Sequence, residues 1–143
     1  MQVDFYQLRH GGVEDSLPLI ADRTLKAGQR LLVVSADEAQ LVRISDALWT
    51  RSAASFLAHG KAGGPDDARQ PVLLSHTVEP ANSARFVALA DGQWREAEAD
   101  RVFYFFDEAT LQGARDAWRM LGGREGVGRR FWKQQDGRWV EGP

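Results

Sequence analysis

Residues 31–48 read LLVVSADEAQLVRISDAL, an apolar tetrapeptide followed at once by a segment with helical spacing. A short continuous apolar run such as residues 31–34 is typical of a parallel strand that is covered on both faces. Ser35 and Asp37 are well placed to cap the helix that follows. Four apolar residues then recur on one helical face: Leu41, Ile44, Ala47 and Leu48. The stretch therefore predicts a strand followed by a helix, the repeating unit of an α/β domain.

The rest of the chain extends this alternation in both directions. Residues 3–8 are β-prone, and residues 17–25 have helical spacing that ends at Gly28. The segments predicted downstream are a surface loop (60–71), two strands (72–74 and 86–89), a turn at 91–92 with a short helix after it (within 90–100), a third strand (101–106), a helix (108–121) and a hairpin (131–135 and 138–140, around Asp136-Gly137). We expect one three-layer α/β/α domain over residues 1–143, with a mostly parallel central sheet of doubly wound, Rossmann-like character.

The composition narrows the class of protein. With 143 residues, of which 43% are hydrophobic, the chain is long enough for one domain with a substantial core. The absence of cysteine excludes a disulfide scaffold, a thiolate metal site and a thiol nucleophile, and it fits a reducing compartment. No apolar run approaches the roughly 18–20 residues of a membrane span, and the N-terminus does not resemble a signal peptide. We therefore expect a soluble, cytoplasmic protein.

Charge is distributed unevenly along the chain. The formal net charge of −2 argues against a basic protein that coats nucleic acid, so direct DNA binding is disfavoured. Residues 109–143 nevertheless carry seven basic and four acidic side chains, a net charge of +3, whereas residues 1–108 carry −5. A basic end on an acidic body indicates a local docking site for a negatively charged partner.

The motifs of common α/β enzymes are missing. No G-x-G-x-x-G joins the first strand to the first helix, and residues 60–63 lack the Ser/Thr and the leading glycine of a phosphate loop. The three histidines lack the i, i+4 pairing of a metal site, and no serine lies in a nucleophile elbow. We therefore predict no catalytic residue, metal or cofactor. The alternative is a small nucleotide-binding enzyme with the same architecture, and a ligand at the carboxyl ends of the strands would favour it.

Two neighbouring motifs carry a resemblance to a known family. Residues 46–51 read DALWTR, and residues 55–59 read SFLAH ahead of a Gly/Pro-rich loop and Pro71-Val72. Together they resemble the chi subunit of bacterial DNA polymerase III. Other segments agree with that family in order: 5–8 (FYQL), 29–33 (QRLLV), 37–40 (DEAQ) and 114–119 (ARDAWR). The resemblance spans nearly the whole chain, with two departures. Residues 91–100 are shorter than the family's connection before the aromatic strand, and Leu111 stands where we would expect a lysine.

The resemblance implies a function without catalysis. Chi is an accessory of the clamp-loader complex, and it joins the polymerase to single-stranded-DNA-binding protein by binding the acidic, Phe-ended C-terminal tail of that protein. It also pairs with the psi subunit, which connects it to the clamp loader. Both partners are expected here by resemblance.

The spacing of residues on the last predicted helix agrees with a site for such a tail. Arg115, Trp118 and Arg119 lie at i, i+3 and i+4, so they share one helical face. An acidic peptide that ends in Phe needs guanidinium donors beside an apolar slot, and the planar fork of arginine suits a terminal carboxylate. Tyr104 and Phe106 on the preceding strand are predicted to supply part of the apolar wall. The alternative is that Trp118 is a core residue and both arginines are ordinary solvated side chains.

Two further aromatic residues have two open interpretations. By resemblance, Trp49 and Phe56 lie on the surface that meets psi, where large aromatic side chains act as anchors. They could equally pack in the core, at the end of a helix and in the extended segment after it.

Overall fold

A mostly parallel sheet forms the centre of the molecule. The structure is a computed structural model, and it describes residues 1–50, 59–135 and 138–142. Three α-helices lie among the described residues: α1 (Leu17–Lys26), α2 (Glu38–Thr50) and α3 (Leu111–Gly122). The described strands are β1 (Gln2–Gln7), β2 (Leu31–Val34), β3 (His59–Lys61), β4 (Val72–Ser75), β5 (Phe86–Leu89), β6 (Arg101–Phe106), β7 (Gly128–Gln135) and β8 (Arg138–Glu141).

The strand order across the sheet is β3-β4-β2-β5-β6-β1-β7-β8. Every neighbouring pair is parallel except β7 and β8, which form the antiparallel hairpin at one edge. Parallel strands of one sheet need crossover connections, and along the chain α1 lies between β1 and β2 while α3 lies between β6 and β7. This topology confirms the predicted α/β fold with a mostly parallel sheet.

The sheet separates two hydrophobic clusters because successive side chains of a strand point to opposite faces. In β1, Tyr6 faces the cluster that contains the buried residues of α1 and α2, whereas Phe5 faces the cluster that contains those of α3. In β6, Phe103 belongs to the first cluster and Tyr104 to the second. Helices therefore cover both faces of the sheet, with α1 and α2 on one side and α3 on the other.

The region between β5 and β6 differs from the expectation of a short helix. Residues 90–100 turn at Asp91-Gly92, as predicted, but continue without helical structure, so the predicted helix is wrong. Side-chain bonds hold this connection instead. The Asp91 carboxylate accepts hydrogen bonds from the Ala36 and Gln93 amides at 2.9 and 3.2 Å and from Arg95 at 2.8 Å. These bonds tie the backbone to the start of α2 and leave no run of helical hydrogen bonds.

Two further predictions concern the edges of the sheet. The predicted loop at 60–71 contains most of β3, a three-residue edge strand that is too short to show periodicity. The predicted hairpin is confirmed by the antiparallel pairing of β7 and β8, although its turn residues 136 and 137 lie outside the described part. Among the described residues, the helices are all too short or too polar to cross a membrane.

Candidate functional site

An apolar cavity of about 440 Å³ lies between α3 and the sheet surface formed by β6, β1 and β7. Four elements contribute its lining: Phe5 and Gln7 from β1, Phe106 from β6, Phe131 from β7, and Leu111, Ala114, Arg115, Trp118 and Arg119 from α3. Three of the residues predicted from helical spacing, together with Phe106, therefore meet at one cavity.

The position of α3 explains why a cavity remains under it. Ala114, Ala117 and Leu121 are buried against the sheet and anchor the helix. Because Ala114 is small, the space beside it is left for the side chains that follow on the same face. Arg115 and Trp118 project from the next positions around the helix, where they border that space rather than fill it.

Aromatic rings form a packed wall on the sheet side of the cavity. The Phe5 ring meets the Trp118 indole edge to face, with centroids 5.1 Å apart and an interplanar angle of 79°. Phe106 lies 6.4 Å from Phe5 and 6.3 Å from Phe131, measured between ring centroids. Edge-to-face pairs of this kind favour one arrangement of the rings, so the wall is formed before any ligand binds.

Arg129 of β7 fixes the orientation of Trp118. Its guanidinium carbon lies 4.1 Å from the centroid of the Trp118 ring, and one guanidinium nitrogen donates a hydrogen bond of 2.6 Å to the Trp118 carbonyl oxygen. The indole thus contacts both Arg129 and Phe5. Stacking of a guanidinium on an indole also brings a positive charge close to the cavity.

The two arginines at the rim of the cavity are exposed. No hydrogen bond or ion pair holds the side chain of Arg115 or Arg119 among the described residues. Other arginines are engaged: Arg124 bonds both carboxylate oxygens of Glu96 at 2.9 Å, and Arg85 pairs with Asp100 at 3.0 Å. The cavity therefore has an apolar interior and two rim guanidiniums that are available to an incoming carboxylate.

Tyr104 does not line the cavity, in contrast to the expectation from its strand position. Its side chain is completely buried beside Phe5 and Phe106 on the same face of the sheet, and its hydroxyl donates a 2.6 Å hydrogen bond to the carbonyl oxygen of Gly92. Burial raises the pKa of this phenol to about 12. Tyr104 therefore packs against the rings of the wall but lies outside the lining of the cavity.

Sequence reasoning missed Phe5, Phe131 and Arg129. Alternation in residues 129–133 places Arg129 and Phe131 on the same side of a strand, which is a signal in the sequence. That signal does not say which side faces α3. Only the pairing of β7 with β1, in which Phe131 lies beside Phe5, decides it.

A second surface contains Trp49, in the last turn of α2. The Trp49 side chain is 45% exposed, and its ring centroid lies 4.6 Å from that of His59. A smaller cavity of about 310 Å³ borders both residues and Leu41. Trp49 is therefore a surface residue, whereas Phe56 lies outside the described residues. A role for either in partner binding stays a prediction.

A larger cavity, about 740 Å³, opens at the carboxyl ends of β1, β5 and β6, where a nucleotide would bind in a doubly wound sheet. Its ionisable lining consists of four acidic residues (Glu14, Asp91, Asp107 and Glu108) and two arginines (Arg9 and Arg43). Arg43 already lies 3.7 Å from a carboxylate oxygen of Glu14. The excess of carboxylates disfavours a phosphate ligand. Across residues 1–50, 59–135 and 138–142, no group of three or more His, Asp or Glu side chains could hold a metal ion.

Comparison with known proteins agrees with the resemblance seen in the sequence. The family model of the DNA polymerase III chi subunit, HolC, matches residues 1–126. The chain belongs to the chi-subunit family of DNA polymerase III. It is 32% identical over 78 residues to the DNA polymerase III subunit chi of Escherichia coli (strain K12). That alignment covers 54% of this chain and 53% of the relative, so the chain matches about half the length of that chi subunit.

The match to the chi family covers only part of the candidate site. The α3 face with Arg115, Trp118 and Arg119 lies within the matched residues. Arg129, Phe131 and the hairpin that continues from them lie beyond residue 126, outside the match. The sheet side of the cavity is thus completed by residues of this chi-family chain that lie outside the match.

Proposed function

We propose that this chi-family chain is a non-catalytic adaptor that connects the polymerase complex to single-stranded-DNA-binding protein. The cavity between α3 and the sheet binds the acidic C-terminal tail of that protein. The terminal Phe enters the apolar space beside Trp118, and the terminal carboxylate meets Arg115 and Arg119 at the rim.

One observation carries this proposal: the cavity combines an aromatic wall with two arginines that have no partner among the described residues. An apolar ligand alone would not need the arginines, and a phosphate alone would not need the aromatic wall. A peptide that ends in Phe with a free carboxylate uses both. The fork of a guanidinium bonds both oxygens of a carboxylate, which gives the site its direction.

The surface around Trp49 is proposed to meet the psi subunit. Trp49 and Val42 are 45% and 51% exposed on α2, so they present apolar area to a partner. Large aromatic side chains of this kind contribute strongly to protein interfaces. This surface lies on the other face of the sheet from α3 and near the opposite edge, so the two partners do not compete for space.

Calorimetric titration with an acidic peptide that ends in Phe tests the tail site. Arg115→Ala removes a charge-assisted hydrogen bond, so we expect a loss of about 1.5–3 kcal/mol, or roughly tenfold to a hundredfold in affinity. Removal of the final Phe from the peptide should be comparably damaging. Added salt should weaken binding, because part of the attraction acts between exposed charges.

The matched control is Arg69→Ala, which removes an exposed arginine from the loop between β3 and β4, far from the cavity. It should bind the peptide as the unaltered chain does. If Arg115→Ala and Trp118→Ala both remain folded and bind the peptide with unchanged affinity, the tail site is elsewhere.

A further inference from the structure

The β7–β8 hairpin presents a basic face on the same side of the sheet as α3. Arg129 and Phe131 face α3, as their contacts with Trp118 and Phe106 show. Because side chains alternate along a strand, Lys133 also points to the α3 side of the sheet. Val140, which pairs with Lys133 across the hairpin, points to the same side. Arg138 lies two residues before Val140 and therefore also on this side. We call Lys133, Arg138 and Val140 the hairpin basic face.

The opposite side of the hairpin is already used for packing. Trp139 meets Tyr6 edge to face at 5.0 Å, and Trp132 stacks near the same ring at 6.3 Å, both measured between ring centroids. Glu141 pairs with Trp132 in the hairpin, so this acidic residue lies on the opposite side from Lys133. The hairpin basic face is thus free of described carboxylates from its own strands.

The hairpin basic face is continuous with the sheet side of the cavity. Phe131 lines the cavity, and Lys133 is the next residue on the same side of β7. Gln7, which also lines the cavity, pairs directly with Lys133 across the β1–β7 ladder. Neighbouring strands lie about 4.8 Å apart, so one or two extended residues of a peptide, at roughly 3.3 Å each, lead from Phe131 to β8.

Charge favours this exit from the cavity over the one past the start of α3. The connection from β6 to α3 contains Asp107 and Glu108, both exposed, which repel an acidic peptide. On the hairpin side, Lys133 is half-buried and Arg138 is exposed, and neither makes an ion pair within the described residues. Of these two exits, the hairpin side is therefore the one where an acidic chain that leaves the cavity meets positive charge.

We call the cavity under α3, together with its continuation over the hairpin, the tail groove. We infer that the hairpin basic face is a second subsite of this groove, and that it binds the acidic residues upstream of the terminal Phe. This subsite rests on the function proposed above. The cavity holds the Phe and the terminal carboxylate, while Lys133 and Arg138 hold carboxylates further back in the tail. The subsite lies wholly beyond residue 126, outside the segment that the family model matches.

The test uses two peptides that end in Phe with a free carboxylate. One is rich in Asp upstream of the Phe, and the other has Asn in place of every Asp. Lys133→Gln and Arg138→Gln should each weaken binding of the Asp peptide about twofold to fivefold, the range for an exposed ion pair. They should leave binding of the Asn peptide unchanged. Arg115→Ala should weaken both peptides, because both keep the terminal carboxylate.

Arg130→Gln is the matched control, since Arg130 lies on β7 but on the opposite side of the hairpin. It should not distinguish the two peptides. The subsite is overturned if Arg115→Ala weakens binding while Lys133→Gln and Arg138→Gln behave like Arg130→Gln. If the unaltered chain binds neither peptide, the proposed function fails and the subsite fails with it.

Discussion

Trp118 is the residue on which the two sides of the candidate site converge. It belongs to α3, yet its indole contacts Phe5 of β1 and Arg129 of β7. A tryptophan at this helical position would be core if the helix packed flat against the sheet. Here Trp118 is only partly buried, because it borders the cavity instead of closing it.

Arg129→Ala should reduce affinity for the acidic peptide although Arg129 does not line the cavity. The variant loses the guanidinium stack on Trp118 and the bond to its carbonyl oxygen, which together stabilise the fold by about 1–2 kcal/mol. We expect a loss of roughly threefold to tenfold in affinity, measured by calorimetry, with a matching drop in unfolding free energy. Arg129→Lys keeps the charge but not the planar stack. Its peptide affinity and its unfolding free energy should therefore lie between those of the unaltered chain and those of Arg129→Ala. Unchanged affinity in Arg129→Ala would contradict a role in orienting Trp118.

Trp49→Ala should change stability little, because the side chain is largely exposed at the end of α2. We expect a decrease in unfolding free energy of about 1 kcal/mol or less from chemical denaturation. The control is Leu48→Ala, which removes a fully buried neighbour and should cost about 2–5 kcal/mol. Affinity for the acidic peptide should stay unchanged in Trp49→Ala. A loss of stability as large as that of Leu48→Ala would assign Trp49 to packing rather than to a partner surface.

At the scale of elements, the connection from β5 to β6 fixes the start of α3. Gly92 has a φ of +78°, and its carbonyl oxygen accepts the hydrogen bond from buried Tyr104. A Cβ at this position would lie 2.6 Å from the Cβ of Thr110, which is held in place by Asp107. The turn at residues 91–92 therefore packs directly against the residue that precedes α3.

Gly92→Ala should be more destabilising than an alanine at another glycine with the same backbone conformation. Gly28 has a φ of +77°, and a Cβ added there would meet no neighbouring side chain within 4 Å, so Gly28→Ala reports the backbone cost alone, about 1–2 kcal/mol. Gly92→Ala adds the clash with Thr110, which we expect to cost a further 1–3 kcal/mol or so. Thermal and denaturant unfolding of both variants measure the difference. Equal losses would show that Thr110 moves aside without cost.

At the scale of the whole molecule, the two proposed binding surfaces are separated by the sheet. The tail groove lies on the α3 side over β6, β1 and β7, and Trp49 lies on the α2 side next to β3, at the far edge. The cavity of about 740 Å³ at the carboxyl ends of β1, β5 and β6 lies between them, and we call it the acidic cleft. An adaptor needs such separate surfaces, whereas an enzyme of this architecture would need the cleft.

The whole chain should therefore show no turnover of nucleoside triphosphates, alone or with a primed DNA template. The physical reason is the excess of carboxylates in the cleft, which repels phosphates, together with the lack of a phosphate loop. Phosphate release and primer extension are the measurements. Arg43→Ala separates the chain from a contaminant, because activity that belongs to the cleft would fall with this substitution. Turnover that copurifies with the chain and is lost in Arg43→Ala would favour the nucleotide-enzyme interpretation.

The amino-acid sequence by itself determined the features that depend on local periodicity. The apolar run of β2 and the helical spacing of α2 predicted an α/β fold, and the i, i+3, i+4 spacing placed Arg115, Trp118 and Arg119 on one face of α3. These predictions succeed because the geometry of a helix or strand relates residues only a few positions apart.

Only the tertiary structure determined that this face of α3 borders a cavity. Phe5 and Phe131 are far apart in the sequence, and only the parallel pairing of β1 with β7 brings them together in the lining of the cavity. The same packing buries Tyr104 beside the wall and outside the cavity. In residues 90–100, hydrogen bonds accepted by the Asp91 carboxylate hold the connection where a helix was expected. Strand order and register depend on contacts across the whole chain, so no local pattern specifies them.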